Sequence, residues 1–167
     1  LSVAVLLTSI AILQAGDAPG PGGAEQILKA TGVQGGLVVH LGCGDGKLTA
    51  ALRADDRYLV HGLDRNADSV AAARHHIRSA GLCGSVSVAL MYGNRLPYID
   101  NLVNLIVADG EWQVANGGGQ VPEEIARVLA PGGVAVQLDP ETRNLKPETL
   151  FRKPWPDEID EWTHYLH

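Results

Sequence analysis

Short apolar runs alternate with helical segments along most of this chain, and this alternation limits the folds it can adopt. Five runs have the length and β-branched content of buried strands, over residues 36–41, 58–63, 85–90, 102–108 and 134–138. Helical segments are predicted over 24–31, 47–54, 66–80 and 121–129. Strands and helices at this spacing form parallel units with right-handed crossovers. The sequence therefore predicts an α/β fold with a doubly wound, mostly parallel sheet.

Composition indicates one globular domain with tails. The chain has 167 residues, of which 46% are hydrophobic and 19% charged, with a net charge of −6. It contains no basic run, which argues against nucleic acid as the principal partner. The two cysteines, Cys43 and Cys83, are too few for a disulfide framework. No spacing of Cys, His, Asp or Glu resembles a metal site.

The first eighteen residues are typical of a targeting segment. Residues 1–13 are apolar apart from small hydroxyl side chains, and 14–18 contain the small residues of a cleavage site. We interpret 1–18 as the remnant of a signal peptide whose start is missing, followed by a Pro/Gly linker over 19–23. The run is short for a membrane span. The prediction is an exported or periplasmic protein; the alternative is a cytoplasmic protein in which this segment is a buried strand or helix.

A glycine-rich turn follows the first predicted strand and carries the strongest chemical signal. Its sequence is Gly42-Cys43-Gly44-Asp45-Gly46, and glycines there allow a sharp turn and close approach of the backbone to a ligand. Asp64 ends the second predicted strand, where an acid can accept hydrogen bonds from both hydroxyls of a ribose. The alternative role for Asp64 is a cap for the helix over 66–80.

From residue 24 to about residue 138, the chain resembles the class I S-adenosylmethionine-dependent methyltransferases, in particular methyltransferase type 11. Four motifs in order carry this resemblance: the turn 42–46, Leu63-Asp64, Leu96-Pro97-Tyr98 with Asp100, and the run 125–133 that contains Arg-Val-Leu and Pro-Gly-Gly. The resemblance implies a Rossmann-like sheet that lacks the last two strands of the family. It also implies S-adenosylmethionine as cofactor and a small molecule as methyl acceptor.

The resemblance implies a set of site residues. Those expected to contact the cofactor are Gly42, Cys43, Gly44, Asp45, Gly46, Asp64, Arg65, Asn94, Arg95 and Asp109. At the exit of the fourth strand, Asp109 or Glu111 could take a proton from the acceptor, and Trp112 could stack on the positive charge. These residues could equally be polar positions on a solvated loop.

Three positions depart from the family pattern. His40, Tyr92 and Asn104 each stand where the family usually has an acid. The alternative function is therefore a catalytically inactive binding or structural module. A nicotinamide-dependent oxidoreductase is disfavoured, because Lys47 occupies the place of the third glycine in its dinucleotide motif.

The end of the chain is predicted to be a tail or linker over 141–167. It resembles the junction in large exported planctomycete-type proteins in which a methyltransferase-like region precedes a β-propeller. On this interpretation a β-propeller follows in the full-length protein; the alternative is an ordinary amphipathic C-terminal segment. Without two further strands, the fifth strand is expected to be an exposed apolar edge.

Overall fold

The computed structural model describes residues 21–110 and 122–156. Its helices are α1 (Pro21–Thr31), α2 (Lys47–Ala51), α3 (Ala67–Ser79) and α4 (Glu123–Val128), with a short 3₁₀ turn at Pro147–Thr149. Its strands are β1 (Gly36–Leu41), β2 (Tyr58–Asp64), β3 (Val86–Leu90), β4 (Val103–Asp109), β5 (Leu129–Leu138) and β6 (Phe151–Arg152).

These strands form one six-stranded sheet in the order β3-β2-β1-β4-β5-β6. The first five pair in parallel, and β6 is antiparallel to β5. The predicted doubly wound α/β fold is therefore confirmed. No helix among the described residues is long and apolar enough to span a membrane.

The core lies on both sides of the central strands. Along β1, Val38 packs into the cluster with α1, α2 and α3, whereas its neighbour Val39 packs into the cluster with α4 on the opposite side. Because successive side chains of a strand point to opposite faces, a continuous apolar strand needs helices on both faces. The central strands are buried accordingly. Because they are parallel, their carboxyl ends lie at the same edge of the sheet.

Two helix boundaries differ from the sequence prediction by three residues. Helix α1 begins at Pro21, inside the predicted linker over 19–23. Proline is tolerated in the first turn of a helix, and burial of Ala24 and Ile27 stabilises the helix that follows. Helix α2 ends at Ala51, three residues before its predicted end at residue 54.

The predicted turn at Pro131-Gly132-Gly133 lies inside β5. Val103 of β4 pairs with Leu129, but Leu105 pairs with Val134, so β5 contains extra residues at this point. Gly132 takes a φ of +75°, which lets the strand bulge and then resume its pairing. The strand therefore begins five residues earlier than the apolar run 134–138 indicates.

The first part of the predicted tail covers the edge of β5. Phe151 and Arg152 pair with Ala135 and Val134, and Leu145 forms a bridge to Leu138. The side chain of Phe151 packs against the α4-side cluster. The expectation of an exposed β5 edge is thus wrong, because the backbone groups and apolar face of β5 find partners within the same chain.

The third glycine of the turn, Gly46, is required by helix packing. Its φ is +80°, and a Cβ there would lie 2.8 Å from both Cα and Cβ of Ala73 on α3. Gly81, which follows α3, has a φ of +69°, and a Cβ there would have no atom within 4 Å. The two glycines share the left-handed backbone and differ in the space around them.

This difference gives a stability prediction. Gly46→Ala and Gly81→Ala should both destabilise the domain, each by roughly 1–2 kcal/mol for the left-handed backbone. Gly46→Ala should cost about 1–3 kcal/mol more, because α2 and α3 must move apart. Urea unfolding of the ligand-free domain measures both values; equal losses would show that the approach of Gly46 to Ala73 is not limiting.

Candidate active site

A cavity of about 340 Å³ opens at the carboxyl ends of β1, β2 and β4. The chain leaves β1 toward β2 and β3 on one side and returns to β4 on the other, so the strand order reverses here. Doubly wound sheets bind ligands at this kind of position. The cavity is lined by Leu41, Gly42, Leu63, Asp64, Arg65, Met91, Asn94, Leu96, Ala108, Asp109, Pro122, Glu124 and Ile125.

Asp64 stands at the end of β2 and joins two turns. One carboxylate oxygen accepts a hydrogen bond from the Gly44 amide at 2.9 Å, and the other accepts one from the Asn66 amide at 2.9 Å. The cap of α3 is Asn66, whose side chain accepts hydrogen bonds from the Asp68 and Ser69 amides. The alternative role of Asp64 as the helix cap is therefore wrong. A carboxylate has about four acceptor positions, so two remain for a ligand.

The glycine turn contributes less to the cavity wall than its sequence suggested. Of its five residues, only Gly42 lines the cavity. A Cβ at Gly42 would lie 3.1 Å from the Asp109 backbone oxygen, whereas one at Gly44 would meet only Arg143, at 3.7 Å. Gly42 therefore allows β1 and β4 to converge, and Gly44 leaves an open face on the turn.

Cys43 and Asp45 are not in the cavity wall. Cys43 is buried against β2, where a Cβ at Gly62 would approach its Cβ to 2.9 Å. Burial raises the pKa of the Cys43 thiol to about 12, so the side chain stays neutral. Asp45 is paired with Lys47 at 3.0 Å. Both residues therefore shape the turn. The spacing of the motif alone could not distinguish this structural role from contact with a ligand.

The rim beside β2 is closed by a hydrogen bond between two predicted site residues. Arg65 donates to the Asn94 side-chain oxygen at 2.8 Å, and both residues line the cavity. Arg95 is exposed and does not line it. The structure thus brings Arg65 and Asn94 together and leaves Arg95 outside.

Arg127 ties the third and fourth sequence motifs into one cavity wall. Its guanidinium donates to the Tyr98 backbone oxygen at 2.9 Å, to the Asp100 carboxylate, and to Glu124. Glu124 in turn accepts a hydrogen bond from the Leu96 amide at 2.7 Å. The hydrogen bonds from Arg127 lower the pKa of Glu124, so this cavity carboxylate is charged.

Sequence reasoning missed Glu124 as a cavity residue. It lies one helical turn before Arg127 on α4, outside the run 125–133 that resembles the family. The signal that could have found it is the three-residue spacing of acid and arginine, which places the two side chains on one helix face.

Asp109 ends β4 and lines the cavity, as Asp64 does at the end of β2. Burial raises the pKa of Asp109, and the nearby charge of Asp64 acts in the same direction. Arg143 opposes both effects, and its Nε lies 3.2 Å from Asp109 Oδ2. Glu111 and Trp112, which were predicted beside Asp109, lie outside the described residues.

None of the three positions that depart from the family pattern lines the cavity. Nδ1 of the buried His40 is 2.8 Å from the hydroxyl of Thr49 on α2. Asn104 accepts a hydrogen bond from the Leu37 amide at 2.9 Å and so joins β4 to β1. Tyr92 is 80% exposed. The departures therefore leave the described cavity wall intact.

The described residues contain no group of three His, Cys, Asp or Glu side chains that could hold a metal ion. The charged cavity residues are three carboxylates, Asp64, Asp109 and Glu124, and one guanidinium, Arg65. The cavity is thus suited to a ligand that carries positive charge and hydroxyl donors.

The fold and the cavity define a Rossmann-like domain with a cofactor site at the reversal of strand order. The family model described as methyltransferase domain matches residues 38–133. The chain therefore belongs to the methyltransferase domain family, and the predicted class I S-adenosylmethionine-dependent methyltransferase is confirmed at the level of the family.

Individual proteins agree with this assignment. Methyltransferase GfsG of Streptomyces halstedii is 36% identical over 110 residues, which are 65% of this chain and 40% of that protein. A Methanococcus maripaludis structure assigned as an S-adenosylmethionine-dependent methyltransferase has a TM-score of 0.62 and 26% identity, covering 71% of this chain and 54% of its own. The cyclase SpnF has a TM-score of 0.61 and 25% identity, covering 70% of this chain and 43% of its own. The chain thus spans about half or less of these proteins.

His40 gives a prediction for stability against pH. Burial lowers the pKa of His40 from the ordinary value of 6.5 to about 4, and the charge of Arg143 is a second, smaller cause. The unfolded chain therefore binds a proton at a higher pH than the folded chain does. Stability should fall by about 2 kcal/mol as pH drops from about 7 to about 5.

Urea unfolding at several pH values measures this slope. His40→Gln keeps a partner for Thr49 and removes the titrating group, so its stability should depend less on pH across this window. A slope equal to that of the wild-type domain would show that other groups cause the acid destabilisation.

Proposed function

We propose that this domain binds S-adenosylmethionine in the cavity and transfers its methyl group to a small-molecule acceptor. The observation that carries the proposal is Asp64, which stands in the cavity wall with free acceptor positions beside the glycine turn. Its two backbone hydrogen bonds fix the carboxylate in place before a ligand arrives. A fixed acceptor loses little entropy on binding and favours the paired hydroxyls of a ribose.

The charge of the cavity supports this choice of cofactor. When bound, S-adenosylmethionine supplies an electrophilic methyl group on a positively charged sulfur. Asp64 at the end of β2, Asp109 at the end of β4 and Glu124 all line the cavity, and these carboxylates attract a cationic ligand. Arg65 and Asn94 lie at the rim, where they would border the base.

The mechanism that follows is mainly one of positioning. Leu41, Leu96 and Ile125 give the cavity apolar walls that exclude water from the reacting groups. Asp64 orients the cofactor, and orientation of two reactants can supply a large part of a rate enhancement. To Asp109, at the end of β4, we assign acceptance of a proton from an acceptor hydroxyl or amine.

A second candidate function is an inactive module that binds the cofactor without turnover. It is favoured by the fold shared with SpnF, whose name is that of a cyclase and not of a methyltransferase, since this fold then need not carry methyl transfer. Single-turnover assays with S-adenosylmethionine labelled in the methyl group, against mixed small-molecule acceptors, distinguish the two. Label transfer supports the enzyme, whereas saturable binding without transfer supports the module.

We also propose that the protein is exported, on the basis of the apolar run over residues 1–13 and the small residues over 14–18. Fusion of residues 1–18, preceded by an initiator and basic segment, to a reporter enzyme tests this proposal. Export of the reporter supports it, and retention in the cytoplasm contradicts it.

The Asp64 assignment predicts a specific loss of affinity. Asp64→Ala should weaken binding of S-adenosylhomocysteine, measured by calorimetry, by about ten- to a hundredfold, or roughly 1.5–3 kcal/mol. The 2′,3′-dideoxy analogue should bind the wild-type domain weakly and should lose little further affinity for Asp64→Ala. This non-additivity would place the ribose hydroxyls on Asp64.

Two controls separate binding from folding. Asp64→Ala also removes the acceptor for the Gly44 and Asn66 amides, so its melting curve must show that it remains folded. Asp68→Ala makes the same charge change on the exposed first turn of α3 and should bind as the wild type does. Equal loss for both ligands on Asp64→Ala would contradict the ribose assignment.

A further inference from the structure

Arg143 has an unusual backbone conformation. Its φ is +53°, and among the described residues the only other non-glycine with positive φ is Asn101. Asparagine adopts the left-handed region readily, whereas arginine does so at a cost of roughly 1–2 kcal/mol. Strain of this kind at a particular residue is a reason to ask what its side chain does.

The loop that carries Arg143 is held by its own hydrogen bonds. The Asp139 carboxylate accepts from the Glu141 and Thr142 amides at 3.1 and 2.8 Å. The Arg143 amide donates to the Asp139 backbone oxygen at 2.7 Å, and the Asp139 amide donates to the Asn144 backbone oxygen at 2.8 Å. These bonds hold the loop in which Arg143 has its left-handed conformation, and the Arg143 side chain reaches the end of β4.

The guanidinium of Arg143 reaches the candidate site. Its Nε is 3.2 Å from Asp109 Oδ2, and its Nη2 lies 3.7 Å from the position that a Cβ at Gly44 would take. The Asp109 side chain is 13% exposed and that of Arg143 is 34% exposed. Arg143 therefore connects the end of β4 with the open face of the glycine turn.

The ion pair with Arg143 stabilises the charged form of Asp109. Burial and the neighbouring Asp64 both raise the pKa of Asp109, and Arg143 is the cation that opposes them. The other ionisable groups that Arg143 affects are His40 under the turn and Asp45 on it. Without this cation, burial and the charge of Asp64 would raise the pKa of Asp109 further.

We propose that Arg143 is a positioning residue for this site, which holds the Asp109 carboxylate ionised and oriented at the cavity wall. The ion pair itself is independent of the ligand. The consequence for cofactor binding rests on the proposed function, because it assumes that the cationic S-adenosyl ligand occupies the cavity.

The first test needs no ligand. The side-chain carboxyl of Asp109 is followed by carbon-13 NMR in the ligand-free domain as pH is changed, with Asp109→Asn to assign the signal. In Arg143→Gln the midpoint should move upward by about one pH unit relative to the wild type, and Arg143→Lys should restore most of the shift. An unchanged midpoint in Arg143→Gln would overturn the proposal.

The second test measures calorimetric affinity for S-adenosylhomocysteine at about pH 8.5 and about pH 6. The ratio of the affinity at pH 8.5 to that at pH 6 should be larger for Arg143→Gln than for the wild type, by up to about tenfold for a midpoint shift of one pH unit, and near the wild-type ratio for Arg143→Lys. Arg57→Gln is the matched control, since Arg57 pairs with Asp55 on the surface and its loss makes the same charge change. Its ratio should equal that of the wild type.

The outcomes separate the two proposals. Absence of binding by the wild-type domain, together with a shifted Asp109 midpoint in Arg143→Gln, contradicts the proposed function and supports the role of Arg143. Binding with the same pH ratio in wild type and Arg143→Gln contradicts the role of Arg143 and leaves the proposed function standing. In Asp109→Asn, replacement of Arg143 should no longer change the ratio; a persisting change would show that Arg143 acts by another route.

Discussion

The candidate site depends first on the Asp64 carboxylate, which joins the turn after β1 to the turn after β2. Its hydrogen bonds to the Gly44 and Asn66 amides hold the turn after β1 against the turn after β2. Each amide would otherwise lack an acceptor at the edge of the cavity, and unsatisfied amides destabilise a folded turn. The same carboxylate fixes the shape of the site and presents free acceptor positions to a ligand, so structure and function coincide in one group.

A second network stabilises the opposite wall. Arg127 holds the segment around Tyr98 and Asp100 through backbone and carboxylate acceptors, while Glu124 holds the Leu96 amide. The motifs that indicated the family are thus distant in sequence but in direct contact in space. Together they build one side of the cavity from a segment without a helix, since none forms between β3 and β4 in this described region.

The prediction of the fold was accurate where burial on both faces makes a strand continuously apolar, as in β1 and β4. It was wrong at the start of β5, because Gly132 and Gly133 form a bulge within a strand and leave the same local signal as a turn. It was also wrong for residues 145–152, whose pairing with β5 depends on the unpaired edge of that strand. Of the residues predicted to contact the cofactor, Gly42, Asp64, Arg65, Asn94 and Asp109 line the cavity, and their contact with the cofactor stays a prediction.

The sequence by itself determined the parallel α/β architecture, the family and the position of the glycine turn and Asp64, because periodicity and short motifs are local properties. Tertiary structure decided which of those residues face the cavity. It placed Cys43 in the core, Gly46 against Ala73 and the three departures from the family pattern outside the cavity wall. It also brought Arg143 to Asp109, a contact between the end of one strand and a loop beyond the next. Such contacts depend on how separate elements pack, which no local pattern records.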